Sequence, residues 1–220
     1  MSKNFVASYS GGKDSILAIY RAIKQGYNPV ALFTTYNTDL NRSWFHGIPE
    51  DVLQSVSDSL DIPIWVVKTT GELYAQNLEK TLIRAKELGA EVCVFGDIDI
   101  EDHRQWCGER CRNAGIEPFS PLWRESRKQL VYEFIDSGFI ANITVIDTAR
   151  MDASFLGQTL TTETVNRIEA QGADICGENG EYHTFVSNGP IFKRPVDFSF
   201  GEKLVKDGYA IMPVQHADFS

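Results

Sequence analysis

The sequence predicts an α/β protein: a parallel sheet with helices on both faces, followed by a smaller α+β lobe. Three observations carry this. Apolar, β-like runs alternate with segments of helical spacing through residue 136. The runs are apolar nearly throughout rather than at every second position, which is the pattern of strands covered on both faces. After about Phe139 the alternation gives way to short runs punctuated by glycine and proline. Regular β–α alternation places the early strands in one parallel sheet with crossover helices.

Taken in order, Asn4 to Tyr9 reads as the first strand and Asp14 to Lys24 as the first helix. Ile16, Leu17, Ile19, Tyr20 and Ile23 fall on helical spacing, and Gly26 stops the helix. Pro29 to Tyr36 is the second strand, Glu50 to Leu60 a helix opened by Pro49, and Ile62 to Val67 the third strand. Glu72 to Leu88 is a long helix closed by Gly89, and Glu91 to Phe95 a short buried strand ending at Gly96-Asp97. Ile100 to Asn113 and Glu125 to Asp136 are helices, each followed by a glycine (Gly115, Gly138). Beyond them, Phe139 to Asp147 is a strand and Thr161 to Gln171 a helix. The expected division is a domain over residues 1–137 and a smaller lobe over 138–220.

Composition limits the partners. The 220 residues are 43% hydrophobic and 23% charged, close to the average of globular proteins, which excludes a disordered, collagen-like or coiled-coil chain. The net charge is −9, so nonspecific binding to nucleic acid or an anionic membrane is disfavoured, because both need clustered cations. Any anion must be held by a local device that overcomes the protein's own field. The longest apolar stretches, Ile62 to Val67 and Phe139 to Ile146, fall far short of the ~20 residues that span a bilayer. The first apolar run, Phe5-Val6-Ala7, is too short for the apolar region of a signal peptide, so none is expected. Four cysteines are ordinary usage, and a cytoplasmic protein with reduced thiols is the expectation.

That local device is Ser10-Gly11-Gly12-Lys13-Asp14-Ser15, directly between the first strand and the first helix. In a parallel sheet this is the carboxyl end of a strand, where ligands bind. Gly11 and Gly12 allow positive φ and close backbone approach, so consecutive N–H groups can point at one anion. The following helix adds its positive end. Lys13 supplies a full charge, Ser10 and Ser15 hydroxyl donors, and Asp14 a carboxylate suited to Mg²⁺ held against phosphates. The segment is neither a Walker A loop nor a dinucleotide fingerprint: the glycines are adjacent, and Asp14 follows the lysine. Two glycines alone would fit a purely geometric turn, but Ser, Lys, Asp and Ser around them favour a phosphate cradle.

Ser10 to Ser15 resembles the signature loop of the PP-loop ATP pyrophosphatases, whose fold is Rossmann-like (adenine nucleotide alpha-hydrolase-like). That superfamily cleaves ATP between the α- and β-phosphates and adenylates a substrate oxygen, so the resemblance implies a cradle for pyrophosphate.

A second dense cluster runs from Cys176 to Val186, with Glu178 and Glu181 around Asn179-Gly180 and then Tyr182-His183-Thr184-Phe185. It must turn at Gly177 and Gly180 and enter a strand at Tyr182. Read alone, it fits either an exposed turn with ordinary acidic residues or two carboxylates that ligate Mg²⁺ or hold an ammonium and orient a nucleophile. The segment is similar to the Gly-Glu-x-Gly-Glu-x-x-Thr-Phe-Val stretch of the diphthine–ammonia ligase family, a branch of the PP-loop superfamily. Phe95-Gly96-Asp97-Ile98, Asp102-His103-Arg104, Pro121-Leu122-Trp123, Glu133 to Phe139 and Phe155-Leu156-Gly157 extend the likeness nearly end to end. Asn179, His183 and the Asp102-His103-Arg104 run depart from the family pattern and look like its bacterial branch, which puts the named substrate in doubt more than the chemistry.

The resemblance implies an ATP-dependent amide ligase with ATP and Mg²⁺. A carboxylate, on protein-borne diphthine or a small acid, attacks the α-phosphorus, and ammonia then displaces AMP. Lys13 and the loop amides would take the leaving pyrophosphate and Asp14 the metal. Thr34 and Gly96 would contact the nucleotide. Glu178 and Glu181 would serve as a second metal contact or capture ammonium. The chain is too short to hold a glutaminase domain beside both lobes, so free ammonia or a partner's ammonia is expected, and a homodimer is the default assembly.

Other signals compete. His103, Cys107 and Cys111 recur at i, i+4 and i+8 on one predicted helix face and invite zinc, with Cys176 as a fourth ligand. Structural zinc sites use close pairs on turns plus a distant pair, so a packed helix face is preferred. Trp44-Phe45-His46-Gly47-Ile48 lies in a loop whose aromatics either close over substrate or pack inward. Thr34-Thr35-Tyr36 ends the second strand beside the loop, where adenine or ribose contacts are expected. The alternative functions are a PP-loop enzyme that modifies tRNA, disfavoured by acidity and by the lack of Cys-x-x-Cys, and a noncatalytic adenine-nucleotide sensor.

Overall fold

The computed structural model describes residues 2–40, 42–43 and 46–217. In chain order the elements are β1 (Asn4–Ser8), α1 (Lys13–Lys24), β2 (Asn28–Asn37), β3 (Arg42–Ser43), α2 (Glu50–Leu60), β4 (Ile64–Thr69), α3 (Tyr74–Glu87), β5 (Val92–Val94), α4 (Glu101–Ala114) and β6 (Glu117–Phe119). There follow α5 (Arg127–Asp136), β7 (Ile140–Asp147), a 3₁₀ turn (Ala153–Phe155), α6 (Thr162–Ala170), β8 (Tyr182–Asn188), β9 (Ser199–Phe200), β10 (Leu204–Lys206), β11 (Tyr209–Ile211) and β12 (Val214–Gln215). The chain divides into two compact units: residues 1–10, 14–45 and 61–124, and residues 11–13, 46–60 and 125–220.

The first unit holds the parallel sheet. β4 pairs with β2, β2 with β1, β1 with β5 and β5 with β6, all parallel; β3 adds a short antiparallel pairing at Tyr36 and Asn37. Val6, Ala31, Phe33, Cys93 and Phe95 bury against Leu78, Leu82 and Ala85 of α3 and Cys111 and Ala114 of α4. Those helical positions follow i, i+3/i+4 spacing, so an apolar stripe meets the sheet. The alternate strand residues Phe5, Ala7, Leu32, Val92 and Val94 are also fully buried, as a sheet covered on both faces requires. β6 and β3 are additions to the expected strands. β6 is three residues at an edge with Pro118 in its middle, which an edge tolerates because one rim of the strand needs no donor.

The second unit is α+β. An antiparallel sheet runs β10-β11-β7-β8, and β9 pairs with β12. Ala141, Ile143 and Ile146 of β7, Phe185 and Val186 of β8, and Val165 and Ile168 of α6 are buried. Ser126 and Thr161 cap α5 and α6, each accepting from the backbone N–H three residues on. No helix among the described residues is long and apolar enough to cross a membrane.

Candidate functional site

The parallel strands stand in the order β4-β2-β1-β5-β6. The chain moves outward from β1 to β2 and β4, then crosses to β5 on the other side of β1. β1 and β5 therefore flank the topological switch point, where an open α/β sheet leaves a crevice at the strands' carboxyl ends. A cavity of about 460 Å³ opens there. Its polar rim is Ser8, Ser10, Asp14, Ser15, Asp97 and His103, and its apolar walls include Phe33, Tyr74, Leu78, Phe95 and Trp106. Of the predicted nucleotide residues, Ser10, Asp14, Ser15 and Gly96 line this one cavity. Thr34 lines a much smaller neighbouring one, about 30 Å³, with Ser8, Ser10, Thr35 and Tyr74.

Local chemistry builds this rim. Ser15 Oγ accepts from the Ser10 backbone N–H at 3.3 Å and from the Ser10 hydroxyl at 3.2 Å, bracing the loop against the first turn of α1. Gly96 explains how β5 comes so close. A Cβ there would stand 2.9 Å from the Asp14 carbonyl carbon and 3.0 Å from the Ser15 nitrogen, both backbone atoms that cannot swing away. Gly96→Ala should therefore destabilise the protein by about 2 kcal/mol, read as a lowered urea midpoint, and weaken nucleotide binding with it. Asp97 is a residue that sequence reasoning left unassigned. Its Oδ2 is buried with no hydrogen-bond partner among the described residues. Burial holds its carboxyl above the usual range, partly offset by His103 and Arg104. A Gly-Asp pair at a strand's carboxyl end was the available signal.

The centre of the loop belongs to the second unit. The Gly11 carbonyl accepts from Val186 N–H at 2.9 Å, and the Lys13 N–H donates to Thr184 Oγ1 at 3.1 Å. His46 Nδ1 lies 2.9 Å from the Thr184 carbonyl, which makes that nitrogen the protonated one. Thr184 thus serves the loop through its hydroxyl and His46 through its carbonyl. Only Gly11 has positive φ, +91°, and a Cβ on it would lie 2.1 Å from Ile48 Cδ1. Gly12 does not need a left-handed backbone, contrary to the expectation for both glycines. It needs the absence of a side chain, because a Cβ would meet His46 Cε1 at 2.5 Å. Lys13 is 5% exposed, with Nζ 5.6 Å from the centroid of the Tyr182 ring. That ring is fixed by its hydroxyl, which donates to the Ile175 carbonyl at 2.6 Å.

The second sequence cluster therefore meets the first through its strand. Gly177 and Gly180 turn with φ of +69° and +88°, and β8 starts at Tyr182 as the pattern predicts. Glu181 is buried, and its two carboxylate oxygens receive the Asn179 N–H at 3.1 Å and the Asn179 side-chain amide at 3.2 Å. The Glu178 N–H donates to Asp174 Oδ2 at 3.2 Å, and Asp174 pairs with Arg127 at 2.6 Å.

Cys111 is buried in the sheet–helix core and Cys107 packs against it, while His103, one turn earlier, lines the cavity. Cys176 belongs to the second unit. Among the described residues no group of three His, Cys, Asp or Glu side chains gathers as a metal site. Trp44 and Phe45 lie outside the described residues.

Two known domain families cover the chain in succession. The diphthamide synthase N-terminal domain matches residues 3–118 and the diphthamide synthase C-terminal domain matches residues 126–217. Proteins named diphthine–ammonia ligase align over 97% of the chain. The one from Rattus norvegicus is 25% identical with 90% of its length covered, and the one from Homo sapiens 23% identical with 89% covered. A solved structure described as a predicted subunit of tRNA methyltransferase from Methanocaldococcus jannaschii aligns over 88% of this chain and all of that one. Its TM-score of 0.45 at 16% identity is too distant to argue from. With both domains matched in order and nearly end to end, the chain belongs to the diphthamide synthase family.

Proposed function

We propose that the protein is an ATP-dependent amide ligase that adenylates a substrate carboxylate and transfers ammonia to it. The observation that carries the reading is the loop Ser10–Ser15: glycine-tight, set at the amino end of α1, with a buried lysine. It stands in a chain whose relatives are named diphthine–ammonia ligase. Gly96 lets the end of β5 approach the backbone of Asp14 and Ser15 closely, at the start of α1, where a helix amino end favours a phosphate.

In the proposed reaction a carboxylate oxygen attacks the α-phosphorus, and the bond to the β-phosphate oxygen breaks, releasing pyrophosphate. Ammonia's lone pair then attacks the acyl carbon, AMP leaves, and the surplus proton passes to water. The protein's part is positioning and charge stabilisation. Lys13 and the loop N–H groups neutralise the leaving pyrophosphate, and Ser10 and Ser15 orient it. We assign the nucleotide to the domain up to about residue 137, with Thr34 and Gly96 beside it, and propose that the smaller lobe over 138–220 faces the reacting end of the acyl substrate. Mg²⁺ would be held by Asp14 with phosphate oxygens completing its shell, in keeping with how that ion binds nucleotides. For Glu178 and Glu181 we propose a further metal contact. Free thiols at all four cysteines suit a cytoplasmic setting.

The test is pyrophosphate release with ATP, Mg²⁺, ammonium and a panel of acids that includes a diphthine-bearing elongation factor. Release that requires an acid and ammonium is the expected result. Turnover of free acids but not of the factor would keep the chemistry and reject the named substrate. Nucleotide binding without release under any combination would indicate a sensor.

A further inference from the structure

The first unit has a second cavity, about 500 Å³, between α4 and the segment that follows β6. Apart from Phe95 and Cys107, which it shares with the cavity at the loop, its lining residues carry no role assigned in the proposed reaction. Arg104, Gly108 and Arg112 fall at i, i+4 and i+8, on one face of α4, and all three line it. In a chain of net charge −9, neither guanidinium has a carboxylate within ion-pair distance among the described residues. The acid on this rim, Glu101, pairs with Arg124 at 3.6 Å. The Arg104 guanidinium lies over the Trp123 ring, 4.5 Å from its centroid. Stacking of this kind pins the plane of the fork and leaves its edge donors free. The Trp123 indole N–H is buried and has no acceptor among the described residues.

Gly108 is the second, independent observation. Glycine inside a helix is unfavourable relative to alanine, so it needs a reason. Neither left-handed backbone nor close packing supplies one. A Cβ on Gly108 would find only Arg112 Nη1, at 3.4 Å, and otherwise open space. The missing side chain leaves a floor between two arginines.

We propose that this cleft binds an oxyanion, carboxylate or phosphate, and that it anchors a second anionic group on the acyl substrate, so that the preferred substrate is at least dianionic. Phe95 and Cys107 line both this cleft and the cavity at the loop, so the two adjoin at these side chains. A substrate held by Arg104 and Arg112 therefore has its remote end fixed beside the place where its other carboxylate is to react. The anchoring role rests on the ligase reading; the anion site itself does not.

The experiment titrates the full chain with glutarate, inorganic phosphate and, as a singly charged control, butyrate. It follows the Trp123 indole ¹⁵N–¹H resonance, assigned with Trp123→Phe. Saturable movement with glutarate or phosphate, with butyrate at least about tenfold weaker, is expected, and the stronger of the two ligands identifies the oxyanion. Arg104→Gln and Arg112→Gln should each weaken it about tenfold without altering ATP binding. Gly108→Ala should raise the melting temperature while weakening the anion, opposite signs that a merely structural glycine would not give. No saturable movement with either dianion, or movement indifferent to both arginines, overturns the proposal. Intact anion binding in a protein that releases no pyrophosphate with any acid would leave the site standing and remove the ligase.

Discussion

Lys13→Ala is expected to lower acid-dependent release of pyrophosphate on the order of a thousandfold while leaving the fold intact. The size follows from what the side chain contributes. Removing one preorganised charge or donor from a water-poor site that stabilises developing negative charge typically costs about 3–4 kcal/mol of transition-state stabilisation. Lys13 is nearly fully buried, so bulk water cannot replace it. The fold is expected to survive because two contacts that tie this part of the loop to β8 are made by backbone. The Lys13 N–H reaches Thr184 Oγ1, and the flanking Gly11 carbonyl is bonded to Val186 N–H. Alanine keeps both. Arginine should restore little activity, since its planar fork does not present the compact point charge of an ammonium in a nearly buried position. Pyrophosphate assays beside thermal melts check the pair of claims, and near-normal turnover with an unchanged melt would remove Lys13 from the mechanism.

The contrast between what the sequence discloses and what it conceals is clear at this loop. Ser10 to Ser15 is local: adjacent glycines, a lysine and the start of a helix announce their purpose within six residues. The strand–helix alternation is local in the same sense, and each parallel strand expected in the first half is present. What holds the loop is not local. His46 and Thr184 are 138 positions apart, and Lys13 and Thr184 are 171 apart. No periodicity in one sequence couples such residues, so the need for Gly12 looked like backbone freedom when it is room for an imidazole. Helix α4 shows the same limit. His103, Cys107 and Cys111 attract attention because they are chemically reactive, yet Cys111 is buried in the core and Cys107 packs against it at the edge of the two cavities. The face one residue on, Arg104, Gly108 and Arg112, has the same spacing and borders an open cleft. Spacing reveals that a face exists, and only packing decides which face is buried. β6 was hidden for a simpler reason: three residues with a proline resemble a connection until an edge is there to receive them.

His46 should make the protein's stability fall with acid in a window set by one imidazole. Its ring packs on Gly12, stands 4.9 Å from the His183 ring, and is bonded through Nδ1 to the Thr184 carbonyl. Burial lowers its pKa first, and the nearby His183 and Lys13 lower it further. The Thr184 carbonyl, which favours a proton on Nδ1, offsets only part of this, leaving a pKa of about 3. An unfolded histidine has its ordinary value near 6.5. Between those two values the unfolded chain binds a proton that the folded one refuses. Stability is therefore full above about pH 6.5 and is lost progressively as pH falls toward 3. The ring keeps some accessible edge, so the loss is less than the full shift implies, about 2 kcal/mol between pH 7.5 and 4.5. His46→Gln keeps a neutral amide at the position and should remove this component, although it lowers stability at neutral pH by loosening the contact with Gly12. Urea titrations of both proteins across that range isolate the effect, because every other titrating group is common to the two. Parallel stability curves would mean that His46 is free to ionise in the folded protein. Converging curves would mean that the imidazole supporting the loop holds its place only while uncharged.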